Sequence, residues 1–138
     1  MNKLMNLQII TTGGIKYQKS ASYVGVPLES GSAGIMANHA PLLAAVKYGP
    51  VKCEYDNKVD YICVGTGVVD VFENNVIMLV LTAEDSKDID VARAKASARR
   101  ARERIAKSVA DTDMQRAAES LQRAIARQKT HYLYWGKR

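Results

Sequence analysis

The chain has 138 residues, of which 47% are hydrophobic and 25% charged, and it contains only three prolines. This composition is typical of one globular domain, or of one modest domain with an appendage, and it excludes a disordered or fibrous chain. Residues 1–85 hold six lysines, no arginine and eight acidic residues, a net charge of −2, whereas residues 86–138 hold fourteen basic and six acidic residues, a net charge of +8. We therefore expect two parts, the second of which is steered towards phosphates or an acidic protein surface.

Cysteine content and hydropathy exclude several classes of protein. Cys53 and Cys63 are too few for a disulfide scaffold and indicate buried free thiols in a reducing compartment. Residues 1–10 mix polar with apolar side chains, so we expect no signal peptide. The longest apolar run, residues 76–81, is far shorter than the roughly 20 residues that span a bilayer, so any membrane association is expected to go through a partner.

The first part of the chain shows the alternation of apolar and polar residues that is typical of half-buried strands. Strands are predicted at residues 4–10, 15–18, 23–26, 51–55, 59–64, 68–72 and 76–82. Turn residues separate them, including Asp56-Asn57 and Glu73-Asn74-Asn75, while Gly65-Thr66-Gly67 indicates a bulge or tight bend. Residues 28–41 are predicted to form a loop. Seven or more short strands with regular turns predict a sandwich or a flattened barrel.

After Ala83 the apolar residues recur every three or four positions, which predicts helices. The first stripe is Val91, Ala94, Ala98, Ala101 and Ile105, and the second is Met114, Ala117, Ala118, Leu121, Ala124, Ile125 and Gln128. Asp88 or Asp90 can cap the first helix, and Asp111, Thr112 or Asp113 the second. The short connection at residues 108–113 predicts an antiparallel hairpin.

The predicted hairpin has a thin core, because alanine buries little apolar area. Alanine also has the highest helix propensity, so each helix could persist while the pair separates. Two interpretations stay open. The hairpin either switches conformation or is permanently docked on the sandwich.

Catalytic motifs are missing from the sequence. It contains no nucleophile elbow, no phosphate-binding loop with lysine and no cluster of metal ligands, and its two histidines, His39 and His131, lie far apart. We therefore predict a protein that is not an enzyme, with no metal site and no catalytic residue.

Several segments resemble a known family. They are Gly34-Ile35, Asn38-His39-Ala40-Pro41-Leu42-Leu43, residues 61–71, Thr82-Ala83-Glu84 and Asp88-Ile89-Asp90-Val91-Ala92-Arg93-Ala94. In this order and at these separations, they resemble the epsilon subunit of the bacterial F-type ATP synthase. The resemblance spans nearly the whole chain.

The resemblance implies a ten-stranded β-sandwich, residues 1–85, followed by an antiparallel two-helix hairpin, residues 86–138. It implies a non-catalytic rotor subunit of the central stalk. The implied partners are the gamma subunit and the ring of membrane c subunits, whose proton or sodium flow drives ATP synthesis. The implied location is the cytoplasmic face of a bacterial membrane, with membrane attachment only through the complex.

The resemblance also implies a contact loop and a regulatory surface. The segment from Gly31 to His39 is expected to lie towards the ring, with Ser32 and His39 as candidate contacts, although His39 could instead have a structural role. Bacterial members use the hairpin to inhibit ATP hydrolysis: when extended, it reaches into the catalytic head and meets an acidic segment of the β subunits, so the β subunits, and α, are implied partners. The candidate inhibitory residues are basic: Arg99, Arg100, Arg102, Arg104, Arg116 and Arg123. The alternative is a solvated helix face.

A regulatory ATP site is the most specific implication. The run from Ile89 to Ala94 matches a family pattern that, in some members, forms part of a non-catalytic ATP site on the folded hairpin. The implied site residues are Glu84, Ile89, Asp90, Arg93, Ala94, Arg123 and Arg127, with ATP as a regulatory ligand rather than a required cofactor. Alternatively, Asp90 only caps the first helix and Arg93 is solvated.

A basic nucleic-acid-binding module is the alternative from another class. The net charge of the helices would attract phosphates without sequence preference. However, Tyr132, Tyr134 and Trp135 cluster at the C-terminus instead of alternating with the arginines as stacking platforms would. We therefore expect no nucleic-acid partner.

Overall fold

The computed structural model describes residues 3–107 and 111–136. The predicted connection between the helices therefore lies partly outside the described residues, as does the side chain of Thr112, a candidate cap. The strands are β1 (Met5–Thr11), β2 (Gly14–Ala21), β3 (Tyr23–Leu28), β4 (Gly31–Ile35), β5 (Leu42–Val46), β6 (Gly49–Tyr55), β7 (Lys58–Val64), β8 (Gly67–Phe72), β9 (Asn75–Val80) and β10 (Ala83–Asp85). A 3₁₀ helix (Ser86–Asp88) and the helices α1 (Val91–Lys107) and α2 (Asp111–Trp135) follow.

The predicted alternation places apolar side chains in one core. In β1, Met5, Leu7 and Ile9 are buried, whereas the residues between them are only half-buried. Two hairpins have tight turns with left-handed residues: φ is 47° at Asp56 and 60° at Asn57, and similar values occur at Glu73 and Asn74. Two consecutive residues with positive φ are typical of the type I′ turn, whose backbone twist matches that of the flanking antiparallel strands.

The prediction of a loop at residues 28–41 is wrong in part, because the segment contains β4. This strand pairs antiparallel with β3, from Val24 opposite Ile35 to Leu28 opposite Gly31. Its sequence, Gly-Ser-Ala-Gly-Ile, has neither β-branched residues before its end nor a clear apolar alternation. Pairing with β3, rather than intrinsic propensity, makes it a strand.

The ten strands form one continuous hydrogen-bonded sheet in the order β10-β7-β6-β3-β5-β8-β9-β1-β2, with β4 added to β3. The sheet folds over so that its two ends meet, with β2 against β6 and β1 against β10. Apolar side chains from nearly all strands fill the space between the layers. The ten-stranded sandwich predicted for the N-terminal part is therefore confirmed.

A buried polar link joins the two ends of the sheet. Asp60 in β7 is only 6% exposed, and its Oδ2 accepts a hydrogen bond of 2.8 Å from the hydroxyl of Tyr17 in β2. Lys87 of the 3₁₀ helix lies on the other side, with its Nζ 3.9 Å from Oδ1. A buried carboxylate is costly unless such partners replace its water.

The two helices pack against each other along the predicted alanine stripe. Ala94, Ala98 and Ala101 of α1 are buried, as are Ala117 and Ala124 of α2. The hairpin is folded onto the sandwich, where α2 contacts β6, β7 and the 3₁₀ helix. The predicted hairpin is therefore confirmed, and α2 continues through the aromatic C-terminal segment as far as Trp135.

The link between Tyr17 and Asp60 predicts a stability loss and an altered pH dependence. We expect Tyr17→Phe to lower the free energy of unfolding at pH 7 by about 1.5–3 kcal/mol, because a charged acceptor loses its donor. Burial, together with hydrogen bonds to Cys53 and Asp60, raises the pKa of Tyr17 well above its ordinary value. An unfolded tyrosine ionises near pH 10, so this contribution is complete below about pH 10 and is lost as the pH rises further.

Urea unfolding between pH 7 and pH 11 measures both effects. Tyr61→Phe is the matched control, because Tyr61 is a half-buried tyrosine of β7 on the opposite side of the strand from Asp60. Wild type and the control should lose stability steeply above pH 10, and Tyr17→Phe less steeply. Identical pH profiles for the two variants would contradict the assigned role of Tyr17.

Candidate functional site

The contact between α2 and the sandwich consists of small side chains. Ala126 packs against Cys63 of β7 and Ile89, with Tyr48 at the edge of this cluster. Thr130, one turn further along α2, is fully buried, and its hydroxyl donates a hydrogen bond of 2.7 Å to the carbonyl of Ala126. Small residues allow α2 to approach the strands closely, but they bury little apolar area.

A small cavity of about 50 Å³ lies beside this contact. Its lining comes from the sandwich and from α2: Tyr48, Cys63, Val64, Thr82, Glu84, Arg123 and Arg127. Three of the seven residues that the sequence assigned to a nucleotide site, Glu84, Arg123 and Arg127, therefore meet here. The cavity is far smaller than the roughly 300–1,000 Å³ of ordinary ligand pockets, so it would hold only a part of a nucleotide.

An ion pair crosses the cavity between strand and helix. The Nε of Arg127 lies 3.1 Å from Oε1 of Glu84, and the two side chains are 45% and 36% exposed. The same carboxylate oxygen is buried but has no hydrogen bond of good geometry among the described residues. The guanidinium of Arg127 and the carboxylate of Glu84 thus attract each other without the alignment of a hydrogen bond. Because both side chains are partly exposed, the pair adds little stability. Glu84 retains an unused acceptor, and Arg123 donates a long hydrogen bond of 3.4 Å to the hydroxyl of Ser120.

The other four predicted residues lie at the junction of sandwich and hairpin rather than on the cavity wall. Ile89 is buried against Cys63, a residue of that wall. Asp90 precedes α1, and its Oδ1 accepts a hydrogen bond of 3.0 Å from the backbone N–H of Arg93. Asp90 is therefore the helix cap, while Asp85 caps the 3₁₀ helix through Lys87 N–H. Arg93 is exposed and Ala94 is buried in the hairpin.

The surroundings of Cys53 and Cys63 do not favour reactive thiolates. Burial raises the pKa of the Cys63 thiol, an effect that the Thr130 hydroxyl and Arg127 oppose. Burial likewise raises the pKa of Cys53. Both side chains are therefore expected to stay protonated near neutral pH. Within residues 3–107 and 111–136, no group of three or more histidine, cysteine or acidic side chains could hold a metal ion.

The predicted contact residues Ser32 and His39 lie at opposite ends of β4: Ser32 is the second residue of the strand, and His39 follows four residues after its last one. Ser32 is exposed near the start of the strand, opposite Pro27, and lines a cavity of about 400 Å³ shared with α2. His39 follows the end of the strand and is exposed, with its Nδ1 2.6 Å from the carbonyl oxygen of Ala40. The two residues therefore do not share one loop, and their contacts with partners stay predictions.

The arginines assigned to inhibition lie on the exposed surface of the hairpin. They are Arg99, Arg100, Arg102 and Arg104 on α1 and Arg116 and Arg123 on α2. Arg104 and Arg116 line a cavity of about 410 Å³ with Lys107 and Asp113. Arg100 donates a hydrogen bond of 3.1 Å to Ser97. These groups are available to an acidic partner, and equally to solvent.

An apolar row crosses the outer face of five strands. The row is Ala45, Val68, Leu79, Ile10 and Ile15, each opposite the next in the strand register. Val68, Leu79 and Ile15 are 41%, 51% and 54% exposed. Sequence reasoning missed this surface, because the alternation predicts which residues face outwards but not which of them become neighbours across the sheet.

Residues 4–86 match the family described as ATP synthase, Delta/Epsilon chain, beta-sandwich domain, and residues 87–130 match ATP synthase, Delta/Epsilon chain, long alpha-helix domain. The chain belongs to the ATP synthase epsilon-chain family. An ATP synthase epsilon chain of Bacillus licheniformis is 38% identical over 125 residues, which cover 91% of this chain and 95% of that one. The epsilon chain of Nitratidesulfovibrio vulgaris is 33% identical over 129 residues, covering 94% and 96%. These bacterial relatives confirm the resemblance.

Solved structures support the fold alone, because their sequence identity is low. A chain of the Euglena gracilis mitochondrial ATP synthase, in a structure of OSCP, F1 and the c-ring, is 16% identical with a TM-score of 0.82, covering 91% of this chain and 80% of that one. A chain of the Tetrahymena thermophila mitochondrial ATP synthase, in a structure of the central stalk and c-ring, is 15% identical with a TM-score of 0.67, covering 92% and 96%.

The expected absence of a nucleic-acid partner stays a prediction. The aromatic residues near the end of α2 contact one another, although Trp135 is 52% exposed. Tyr134 and Trp135 meet edge to face with ring centroids 4.8 Å apart, and Tyr132 lies beside His131 at 5.3 Å. Among the described residues, no helix is both long and apolar enough to cross a bilayer.

Proposed function

We propose that the chain is a non-catalytic rotor subunit of an F-type ATP synthase. In this proposal the sandwich binds the gamma subunit and the c-ring and couples proton or sodium flow to ATP synthesis. The main support for this proposal is the exposed apolar row on the closed sandwich, in a chain whose relatives are named ATP synthase epsilon chain. As part of that complex, the subunit is peripheral on the cytoplasmic face of the bacterial membrane.

The apolar row is consistent with a protein partner, because the residues beside it are a mixture of polar and apolar side chains. The parallel row lies two positions along four of the strands and, because of the register shift between Ile9 and Ile10, three positions along β2. It consists of Leu43, Asp70, Ile77, Gln8 and Gln18. An apolar centre beside polar groups is typical of a specific protein interface. We assign the row to the gamma subunit and the loop that carries His39 to the ring. The exposed Met36 and Leu43 flank that loop. Ser32, at the other end of β4, then faces a different neighbour.

The assigned gamma contact predicts that Leu79→Glu prevents assembly. A carboxylate at the centre of an apolar interface is desolvated without a partner, so binding to the gamma subunit should weaken at least tenfold. Binding of purified subunit to immobilised gamma subunit measures this effect. Leu133→Glu is the control, because Leu133 is similarly exposed but lies on α2. Equal binding by both variants would contradict the assignment.

We further propose that the hairpin inhibits ATP hydrolysis when it extends towards the β and α subunits. Two observations support this role. The alanine seam between α1 and α2 is thin, so separation costs little apolar burial. The arginines that would meet an acidic segment are exposed on the folded hairpin and thus need no rearrangement of the sandwich.

Charge reversal of the hairpin tests inhibition. Replacing Arg99, Arg100 and Arg102 with glutamate should raise ATP hydrolysis by the assembled enzyme several-fold, because acidic partners would then repel the helix. The control replaces Lys3, Lys16 and Lys58, three exposed lysines of the N-terminal part, with glutamate. Unchanged hydrolysis in the arginine variant, with normal incorporation of the subunit, would refute the inhibitory contact.

The third element of the proposal is a regulatory ATP site at the junction of sandwich and hairpin. Glu84 has an unused acceptor for a polar hydrogen of the nucleotide, and Arg123 and Arg127, one turn apart, can reach phosphates. Arg127 must leave Glu84 to bind phosphate, and the weak ion pair makes that exchange easy. ATP that binds only the folded hairpin would stabilise it by mass action.

Calorimetry of the subunit tests the ATP site. We expect ATP to bind at millimolar concentration or tighter, and Arg127→Ala to weaken binding about tenfold or more, because it removes a charged phosphate donor. Arg93→Ala should also weaken binding, because Arg93 belongs to the run from Ile89 to Ala94 that the resemblance assigns to the site. Arg116→Ala is the matched control, since Arg116 lies on α2 far along the helix from the cavity. Absence of heat at millimolar ATP would exclude the sensor and leave the rotor function intact.

A further inference from the structure

Lys87 lies between the sandwich and the end of α2. On one side, its Nζ is 3.9 Å from Oδ1 of Asp60. On the other, it lies 5.7 Å from the centroid of the Tyr134 ring, within the range of a cation–π contact. Tyr134 is half-buried in the last turn of α2. One ammonium group therefore contacts both a buried carboxylate of the sandwich and the aromatic end of the hairpin.

The position of Lys87 is set by its surroundings rather than by chance. Its backbone N–H donates a hydrogen bond of 3.0 Å to Oδ1 of Asp85, which caps the 3₁₀ helix. Asp60 is held in turn by the hydroxyl of Tyr17 at 2.8 Å. The Lys87 side chain is 46% exposed, but its backbone and its partner Asp60 are both held by hydrogen bonds. The contact with Tyr134 therefore costs less side-chain entropy than one between two mobile chains.

The second aromatic contact lies within the hairpin. Lys95 of α1 places its Nζ 5.5 Å from the centroid of the Tyr132 ring. Tyr132 therefore joins α2 to α1, whereas Tyr134 joins α2 to the sandwich. The two tyrosines divide the C-terminal segment between two different neighbours.

We propose that Asp60, Lys87 and Tyr134 form a latch that holds the hairpin against the sandwich independently of nucleotide. Arg127 and Tyr134 are seven residues apart, so they lie on the same face of α2, about 10 Å from each other. The helix thus meets the sandwich at two points, weakly at the cavity through Arg127 and at its end through Tyr134. This inference rests on the proposed opening of the hairpin. The latch adds to the free energy that opening requires, and this addition does not depend on ATP.

Hydrogen exchange of the full-length subunit without nucleotide tests the latch. Lys87→Gln should raise exchange of α2 amides about five- to tenfold relative to wild type, because it removes both contacts of the ammonium group. Trp135, the only tryptophan, should become more accessible to quenchers. Lys87→Arg keeps the charge and the reach to both partners, so it should restore protection.

The control uses the same chemistry without the hairpin. Lys52 lies 3.7 Å from Glu54 and 5.8 Å from the Tyr23 ring centroid, all within the sandwich. Lys52→Gln should leave α2 exchange unchanged. Because Lys87→Gln also weakens the support of Asp60, Tyr134→Leu provides a second route: it removes the ring and leaves the charge pair intact. Tyr134→Leu and the double variant should both resemble Lys87→Gln in α2 exchange.

Two outcomes would overturn the latch. In one, α2 exchange stays at the wild-type rate in Tyr134→Leu. In the other, Lys87→Gln leaves α2 exchange at the wild-type rate, or accelerates it no more than it accelerates exchange in the strands. Neither outcome depends on ATP binding or on hydrolysis by the assembled enzyme, so failure of the latch and failure of the proposed regulation are separate results.

Discussion

Burial of the Asp60 carboxylate is the constraint that organises the rest of the molecule. A charge that is only 6% exposed must replace its water with protein groups. Tyr17 supplies one partner from the far end of the sheet, and Lys87 supplies the other from the segment that leads into the hairpin. Meeting this requirement therefore closes the sheet on itself and also fixes where the hairpin begins.

The two parts of the chain are stabilised by different amounts of apolar burial. The sandwich core contains leucine, isoleucine, valine and methionine from both layers, including Leu7, Ile35 and Met78. The hairpin seam and its contact with β7 depend on alanine, with Ala126 against Cys63 as the central contact. At about 25 cal/mol per Å², such small side chains contribute much less. The helices are thus expected to leave the sandwich long before the sandwich unfolds.

Local sequence signals predicted the elements that depend on local interactions. Strict alternation in β1 and β6 and the Asp56-Asn57 turn were sufficient for the strands, and the alanine stripe was sufficient for the hairpin. β4 could not be predicted from Gly-Ser-Ala-Gly, because its partner strand imposes its conformation. The second buried face of α2 was also missed, since Ala126 and Thr130 are too small or too polar to stand out. Asp60 and Lys87 are 27 residues apart, and nothing local links them.

The candidate nucleotide site likewise depends on contacts between residues that are distant in the sequence. Its geometry also determines which groups compete for Arg127. Resemblance, rather than spacing, brought Glu84 together with Arg123 and Arg127, and the structure places them on one cavity. Without nucleotide, Arg127 is held by Glu84 with poor alignment, so phosphate and carboxylate compete for one guanidinium. That competition acts at the middle of α2, while Tyr134 is fastened two turns away by Lys87. The helix α2 can separate from the sandwich only when both contacts break, Arg127 with Glu84 and Tyr134 with Lys87. Control of the hairpin by ATP therefore requires that the contact between Tyr134 and Lys87 be weak as well.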